Sequence, residues 1–285
     1  MQPFTVIGSL AKQKFPLVVD APHSWRCWPS TQPTRATSAE LLTSWDAFVD
    51  ELWALALQQR APLLSANFHR AYIDANRARD DIDPGLLREP LPFALAPTQK
   101  SERGCGLIRR DILPGVPLYA QTLAAMDVLH RLTELYDPYH QAMEFLVART
   151  HQRFGMSLML DCHSMKSVGN AMNDDCGRQR PDMVVSDMDG VTSHPAISQW
   201  IAELLRENGY RVQVNDPYKG GELIRRNGFP QTRKFAVQIE INRALYMNER
   251  THAKSSHFTR LVQDLTAFVD SLALNLMERI LGLPA

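Results

Sequence analysis

Short apolar runs alternate along the chain with longer stretches whose apolar residues recur at helical spacing. The runs PLVVDAP at 16–22, PLLSA at 62–66, AYID at 71–74, MSLMLDC at 156–162, DMVVSD at 182–187, YRVQV at 210–214 and FAVQIEI at 235–241 are candidate strands. Several are apolar throughout, as strands covered on both faces tend to be. Between them the periodicity predicts helices over 39–60, over 118–153 with a break forced near Pro138, over 194–208 and over 255–281. The alternation predicts an α/β fold, with a mixed, largely parallel sheet flanked by helices. The Pro- and Gly-bearing segment from Asp83 to Pro117 lacks periodicity and reads as a long loop, a length that in a compact domain usually serves function. No internal repeat divides the chain, and residues 1–285 are read as one domain.

Polar residues that end apolar runs are the first candidates for chemistry, because open α/β sheets gather their ligands beyond the carboxyl ends of the strands. His23 and Ser24 follow PLVVDAP, Asp161, His163 and Ser164 close MSLMLDCHSM, and Glu240 interrupts the apolar AVQIEIN. Two imidazoles suited to a divalent metal and one spare carboxylate to take a proton from water make up the parts of a hydrolytic metal site. The plain alternative is that both histidines are satisfied core residues and that Glu240 pairs with Arg243. A third ligand must come from elsewhere, since no HExxH or HxxE follows His23. Asp46 borders the apolar stripe Leu42, Trp45, Val49, Trp53 and Ala56 of the first predicted helix, whereas Asp50 points further toward solvent. Asp46 is thus either that ligand or an ordinary boundary residue.

Basic residues supply the rest of the candidates. HRAYIDANRARDDID sets Arg70, Asp74, Asn76, Arg77 and Arg79 around the apolar AYID, where a guanidinium fork matches a carboxylate and an amide adds neutral donors. Arg180 precedes DMVVSD, and NDPYKGG offers Lys219 with two glycines whose backbone can approach a ligand. A solvated charge run is the alternative in each case.

Composition narrows the field. Lys and Arg total 31, as do Asp and Glu, so no net field draws the chain to nucleic acid or an anionic membrane, and anion binding must be local. No stretch reaches the roughly 18 apolar residues of a membrane helix, and MQPFTVIGSLAKQKF lacks the apolar run of a signal peptide. Cys27, Cys105, Cys162 and Cys176 are scattered without a CxxC pair, which fits reduced thiols and a cytoplasmic setting.

Taken together, APHS at 21–24, WDAFVDELW at 45–53, AYIDANR at 71–77, YDPYH at 136–140, DCHSM at 161–165, RPDMVVSD at 180–187, NDPYKGGELIRRNGFP at 215–230 and QIEINRALYMNE at 238–249 resemble, in order and spacing, the N-formylglutamate amidohydrolase family. That family is similar to the zinc carboxypeptidases. The resemblance implies Zn2+ held by His23, Asp46 and His163, with Glu240 as general base. It also implies that Arg70 polarises the scissile carbonyl and that Asn76 and Arg77, with Arg180 or Lys219, bind substrate carboxylates. The implied reaction releases formate and glutamate from N-formyl-L-glutamate, or cleaves a close N-acyl amino acid, in histidine degradation. A carboxypeptidase-like peptidase, an amidase for another N-acyl amino acid and a non-catalytic carboxylate-binding protein are the alternatives. Trp25 stands where the family has glycine after PHS, and its indole is expected beside the metal, narrowing the pocket.

Overall fold

The structure, a computed structural model, describes residues 2–283. In chain order its elements are β1 (Phe4–Ile7), β2 (Leu17–Ala21), α1 (Ser38–Leu42), α2 (Val49–Leu57), β3 (Leu63–Ala66), α3 (Gln99–Glu102), β4 (Asp111–Leu113), β5 (Val116–Pro117), α4 (Ala125–Arg131), α5 (Asp137–Phe154), β6 (Ser157–Met165), β7 (Met183–Ser186), α6 (Pro195–Glu207), β8 (Val212–Val214), α7 (Glu222–Asn227), β9 (Lys234–Asn242) and α8 (Phe258–Leu281). Seven strands form one sheet in the order β1-β3-β2-β6-β9-β7-β8. The pairings β3-β2, β2-β6, β6-β9 and β7-β8 are parallel, while β1-β3 and β7-β9 are antiparallel, so the sheet is mixed and largely parallel as the pattern predicts.

The two faces of this sheet differ, and the difference positions the site. On one face Leu158, Leu160 and Cys162 of β6 and Phe235, Val237, Ile239 and Ile241 of β9 pack under α2, α6 and α8. On the other face Val18, Met159 and Ala236 join a core built with α4, α5 and α7. Side chains along a strand alternate between faces, so the next residues on this second face are Asp20, Asp161, His163, Gln238 and Glu240. All five are buried. One face is therefore mostly apolar, and the other turns polar toward the carboxyl ends of β6 and β9.

Three expectations need correction. AYID at 71–74 is not a strand: Nδ1 of His69 accepts the Ala71 N–H, and the carbonyl of His69 accepts those of Tyr72 and Ile73, which curls the segment into turns. The helix expected over 39–60 is two helices. α1 starts at a Thr37–Glu40 capping box and ends at Leu42, and α2 begins after Phe48, whose φ is 61°. Between them, Ser24 Oγ donates to the Asp46 carbonyl and accepts from the Asp50 N–H, both at 3.1 Å, and the Asp46 N–H donates to the His23 carbonyl at 3.0 Å. Asp46 thus lies in a tether to the end of β2, not along a helix. Pro138 breaks nothing: it sits in the first turn of α5, where its missing N–H costs little, and a wide π turn over 132–136 carries the helix through from α4. The 83–117 segment holds α3 and the β4–β5 hairpin, while β1 and α7 had no counterpart in the sequence pattern.

The packing of α2 on α8 rests on large buried side chains, with the rings of Trp53 and Phe268 edge to face at 6.2 Å between centroids. Phe268→Ala should lower the stability by about 3–5 kcal/mol, the usual cost of emptying an aromatic core site. Equilibrium urea unfolding checks this, and a loss under about 1 kcal/mol would show that α8 is not part of the cooperative core.

Candidate active site

β2, β6 and β9 end side by side, and their ends carry the chemistry. In the parallel β6–β9 register His163 lies beside Glu240 and Asp161 beside Gln238, while β2 sets Asp20 beside Asp161 and delivers His23 two residues past its end. Nδ1 of His23 is 3.0 Å from Nδ1 of His163, and Oδ2 of Asp46 is 3.4 Å from the first and 3.1 Å from the second. All three side chains are buried.

The far side of each ring is held by a carboxylate. Nε2 of His23 is 2.7 Å from Oδ1 of Asp74, and Nε2 of His163 is 2.7 Å from Oδ1 of Asp161. Nδ2 of Asn76 also lies 3.0 Å from Nε2 of His163. The Asn76 amide oxygen accepts from the Leu223 N–H, so Nδ2 faces Asp161 Oδ2 at 3.1 Å and Gln238 Oε1 at 3.2 Å, and those two acceptors use both of its hydrogens. Nε2 of His163 thus lies against both the Asn76 amide and the Asp161 carboxylate, although Oδ1 of Asp161 makes no well-directed hydrogen bond, and the two Nδ1 atoms face each other across the gap.

Two imidazole nitrogens and a carboxylate oxygen so close together repel unless positive charge stands among them. Burial pulls the His163 pKa down, but Asp161, Asp46 and Glu240 outweigh it and raise it well above the ordinary imidazole value. His23, by contrast, is lowered by burial and by Arg70. The other oxygen of Asp46 accepts from Arg243 at 2.9 Å, with Arg70 3.6 Å away, so Asp46 stays ionised and fixed in place. This donor set, with its outer carboxylates, suits a divalent cation such as zinc.

Glu240 is buried beside the cluster, and Nε2 of Gln238 donates to its Oε1 at 3.0 Å. Burial pushes its carboxyl up to about 7, against the pull of His163. His163 and Glu240 open into a cavity with about 1030 Å³ of empty space, part of it open to solvent. Its wall carries Arg70, Arg77, Lys100, Arg109, Lys166, Arg180 and Arg243 against a single carboxylate, Glu240. A chain of zero net charge thus concentrates positive charge at one place.

The sequence model of the N-formylglutamate amidohydrolase family matches residues 15–247. The chain belongs to the N-formylglutamate amidohydrolase family. It is 30% identical over 246 residues to an N-formylglutamate deformylase of Pseudomonas aeruginosa, covering 85% of this chain and 86% of that one. To the N-formylglutamate deformylase of Pseudomonas putida it is 27% identical over 245 residues, or 85% of each chain. The crystal structure of an N-formylglutamate amidohydrolase from Ralstonia eutropha JMP134 superposes with a TM-score of 0.88 at 36% identity, covering 98% of this chain and 99% of that one.

Within this family member the residues singled out from the sequence divide by placement. His23, Asp46 and His163 converge, with Glu240, Arg70, Asn76, Arg77 and Arg180 around them. Arg70 is held by Asp74 at 3.0 Å, and Arg180 by Asp175 at 2.6 Å. Arg77 donates only to the carbonyls of Cys105 and Asn76. Lys219 is not brought in: its side chain is 66% exposed and pairs with Asp189 at 2.7 Å outside the cavity wall. Trp25 is half-buried and does not line the cavity either, so the expected narrowing is absent. Arg243 holds Asp46 rather than Glu240. Asp74, Lys100, Arg109 and Lys166 were not identified as site residues from the sequence, although the long 83–117 segment that reads as functional supplies Lys100, Cys105, Arg109, Ile112 and Leu113 to the wall.

If Asp161 sets the ligand tautomer of His163, Asp161→Asn should weaken zinc binding about 10- to 100-fold, as removal of such an outer partner generally does. Competition with a chromophoric chelator measures this. Unchanged affinity would mean that His163 is oriented by other contacts.

Proposed function

We propose that the chain is a zinc-dependent hydrolase, acting as one catalytic domain, that cleaves the amide bond of N-formyl-L-glutamate or a close N-acyl amino acid to formate and glutamate. The observation that carries this reading is the pairing of a three-acceptor cluster with a buried carboxylate one strand away, at the wall of a cation-lined cavity. The names of the relatives agree with this substrate. The four free thiols support a reducing, cytoplasmic setting, and histidine degradation is the pathway such a reaction serves.

His23, Asp46 and His163 would hold the zinc ion, which when bound would supply Lewis-acid activation of water and of the formyl carbonyl. Glu240 removes the proton of the attacking water and delivers it to the departing amine as the carbon–nitrogen bond breaks. A carboxyl raised to about 7 suits both directions of that transfer. Arg70, lining the cavity and held by Asp74, faces the charge that develops on the carbonyl oxygen. Arg77 receives a substrate carboxylate, because its guanidinium lines the same cavity with no carboxylate of the protein bound to it. Arg180, held in place and neutralised by Asp175, offers hydrogen-bond donors at the cavity wall rather than net charge. The Asn76 amide links Asp161 and Gln238, and so acts on substrate through the residues it positions.

The zinc-loaded protein should release formate from N-formyl-L-glutamate. Glu240→Gln should retain one zinc per chain and a similar KM while kcat falls roughly a hundredfold or more. Formate assay with metal analysis on the same samples decides, and a variant of unchanged kcat would remove Glu240 from the proton transfer.

A further inference from the structure

Of the five arginines on the cavity wall, three are neutralised by protein carboxylates: Arg70 by Asp74, Arg180 by Asp175 and Arg243 by Asp46. Among the described residues Arg77 has no such partner, and Arg109 has only a distant one, Asp74 at 4.0 Å. Arg109 is the more unusual, because its side chain is buried, with the residue 9% exposed, and its Nε has no hydrogen-bond partner. The carboxylate oxygen closest to it, Oδ2 of Asp74, is 4.0 Å away. Asp74 cannot take on a further cation: Oδ2 already accepts from Arg70, and Oδ1 accepts from His23 and from the Asn76 N–H. The groups facing Arg109 are otherwise Arg70, Arg77, Cys105, His69 and Lys166, none of them an anion that would neutralise it. Burial and Arg70 lower its pKa, the mark of a charge without its counterion.

A guanidinium out of water and unpaired is costly, and it persists where a ligand supplies the missing charge. The cavity wall also carries Arg77, part-buried and donating to two backbone carbonyls but to no carboxylate among the described residues, and a guanidinium can grip a carboxylate bidentately. We infer that Arg109 binds a second carboxylate of the substrate, the one Arg77 does not hold, and so restricts the enzyme to dicarboxylic N-acyl amino acids. This rests on the hydrolytic reading above and adds the residue that selects the substrate class. Lys166, beside Arg109 on the wall and without a salt bridge among the described residues, reinforces the same charge.

The test compares N-formyl-L-glutamate with its two monoamides, N-formyl-L-glutamine and N-formyl-L-isoglutamine, on zinc-loaded wild type, Arg109→Gln and Arg109→Lys. Wild type should prefer the diacid over both monoamides by at least about tenfold in kcat/KM. Arg109→Gln should lose roughly 10- to 150-fold on the diacid, mainly in KM, and less than about threefold on the monoamide lacking the carboxylate that Arg109 binds. Arg109→Lys should lie between, since a point charge replaces a fork. Equal losses on all three substrates, no loss on any, or a wild type indifferent to the second carboxylate would overturn the inference. If wild type hydrolyses none of them, the hydrolytic reading fails, and calorimetry decides on Arg109 by itself. Wild type should then bind glutarate at least about tenfold more tightly than butyrate, with the preference lost in Arg109→Gln, and no such preference would overturn the inference too.

Discussion

The structure turns on a repulsion. Nδ1 of His23, Nδ1 of His163 and Oδ2 of Asp46 stand within 3.4 Å of one another, with the Asp74 and Asp161 carboxylates against the opposite ring nitrogens. Such an arrangement is favoured by positive charge among the three atoms, which suits a divalent cation. The surrounding framework serves to keep these atoms from moving apart. The ends of β2 and β6 carry the two rings, and Ser24, Trp45 and the backbone of Asp46 tether the Asp46 carboxylate to the end of β2. Arg243 and Arg70 then hold that carboxylate.

That framework was partly legible in the sequence. In MSLMLDCHSM and AVQIEIN the polar residues fall on alternate positions, Asp161 and His163 on one strand and Gln238 and Glu240 on the other. This alternation places all four on one face, and the register of β6 with β9 sets them side by side. The pattern therefore carried the placement of Glu240 on the same face as His163, as well as the class of fold. It could not carry what depends on folded geometry. The stripe from Leu42 to Ala56 keeps helical spacing across a break that Phe48 and Ser24 impose, and this put Asp46 on a helix instead of in a tether. AYID is apolar because Ala71 and Ile73 enter the core on the second face, a demand that turns meet as well as a strand does. Asp74 and Arg109 had no local signal, since one matters through His23, 51 positions away in the chain, and the other through the absence of a partner.

Around the cluster the charge is arranged in two tiers. Asp46, Asp74 and Asp175 neutralise Arg243, Arg70 and Arg180, which therefore act through position more than through free charge. Arg77 and Arg109, together with Lys100 and Lys166, remain available to an anion on a wall whose single acid is Glu240. This accounts for how a chain with equal numbers of acidic and basic residues can recognise an acidic substrate. The field is local, inside a cavity of low dielectric, where an unpaired charge counts for more than it does on the surface.

The central claim is that His23, His163 and Asp46 together hold a divalent metal ion. X-ray absorption at the zinc edge, on protein loaded with one equivalent of zinc, tests it most directly. The account predicts nitrogen and oxygen scatterers at about 2.0–2.1 Å, with the outer-shell signature of two imidazoles that falls to one in His163→Ala. A spectrum dominated by sulfur near about 2.3 Å, or one whose imidazole signature is unchanged in that variant, would contradict it.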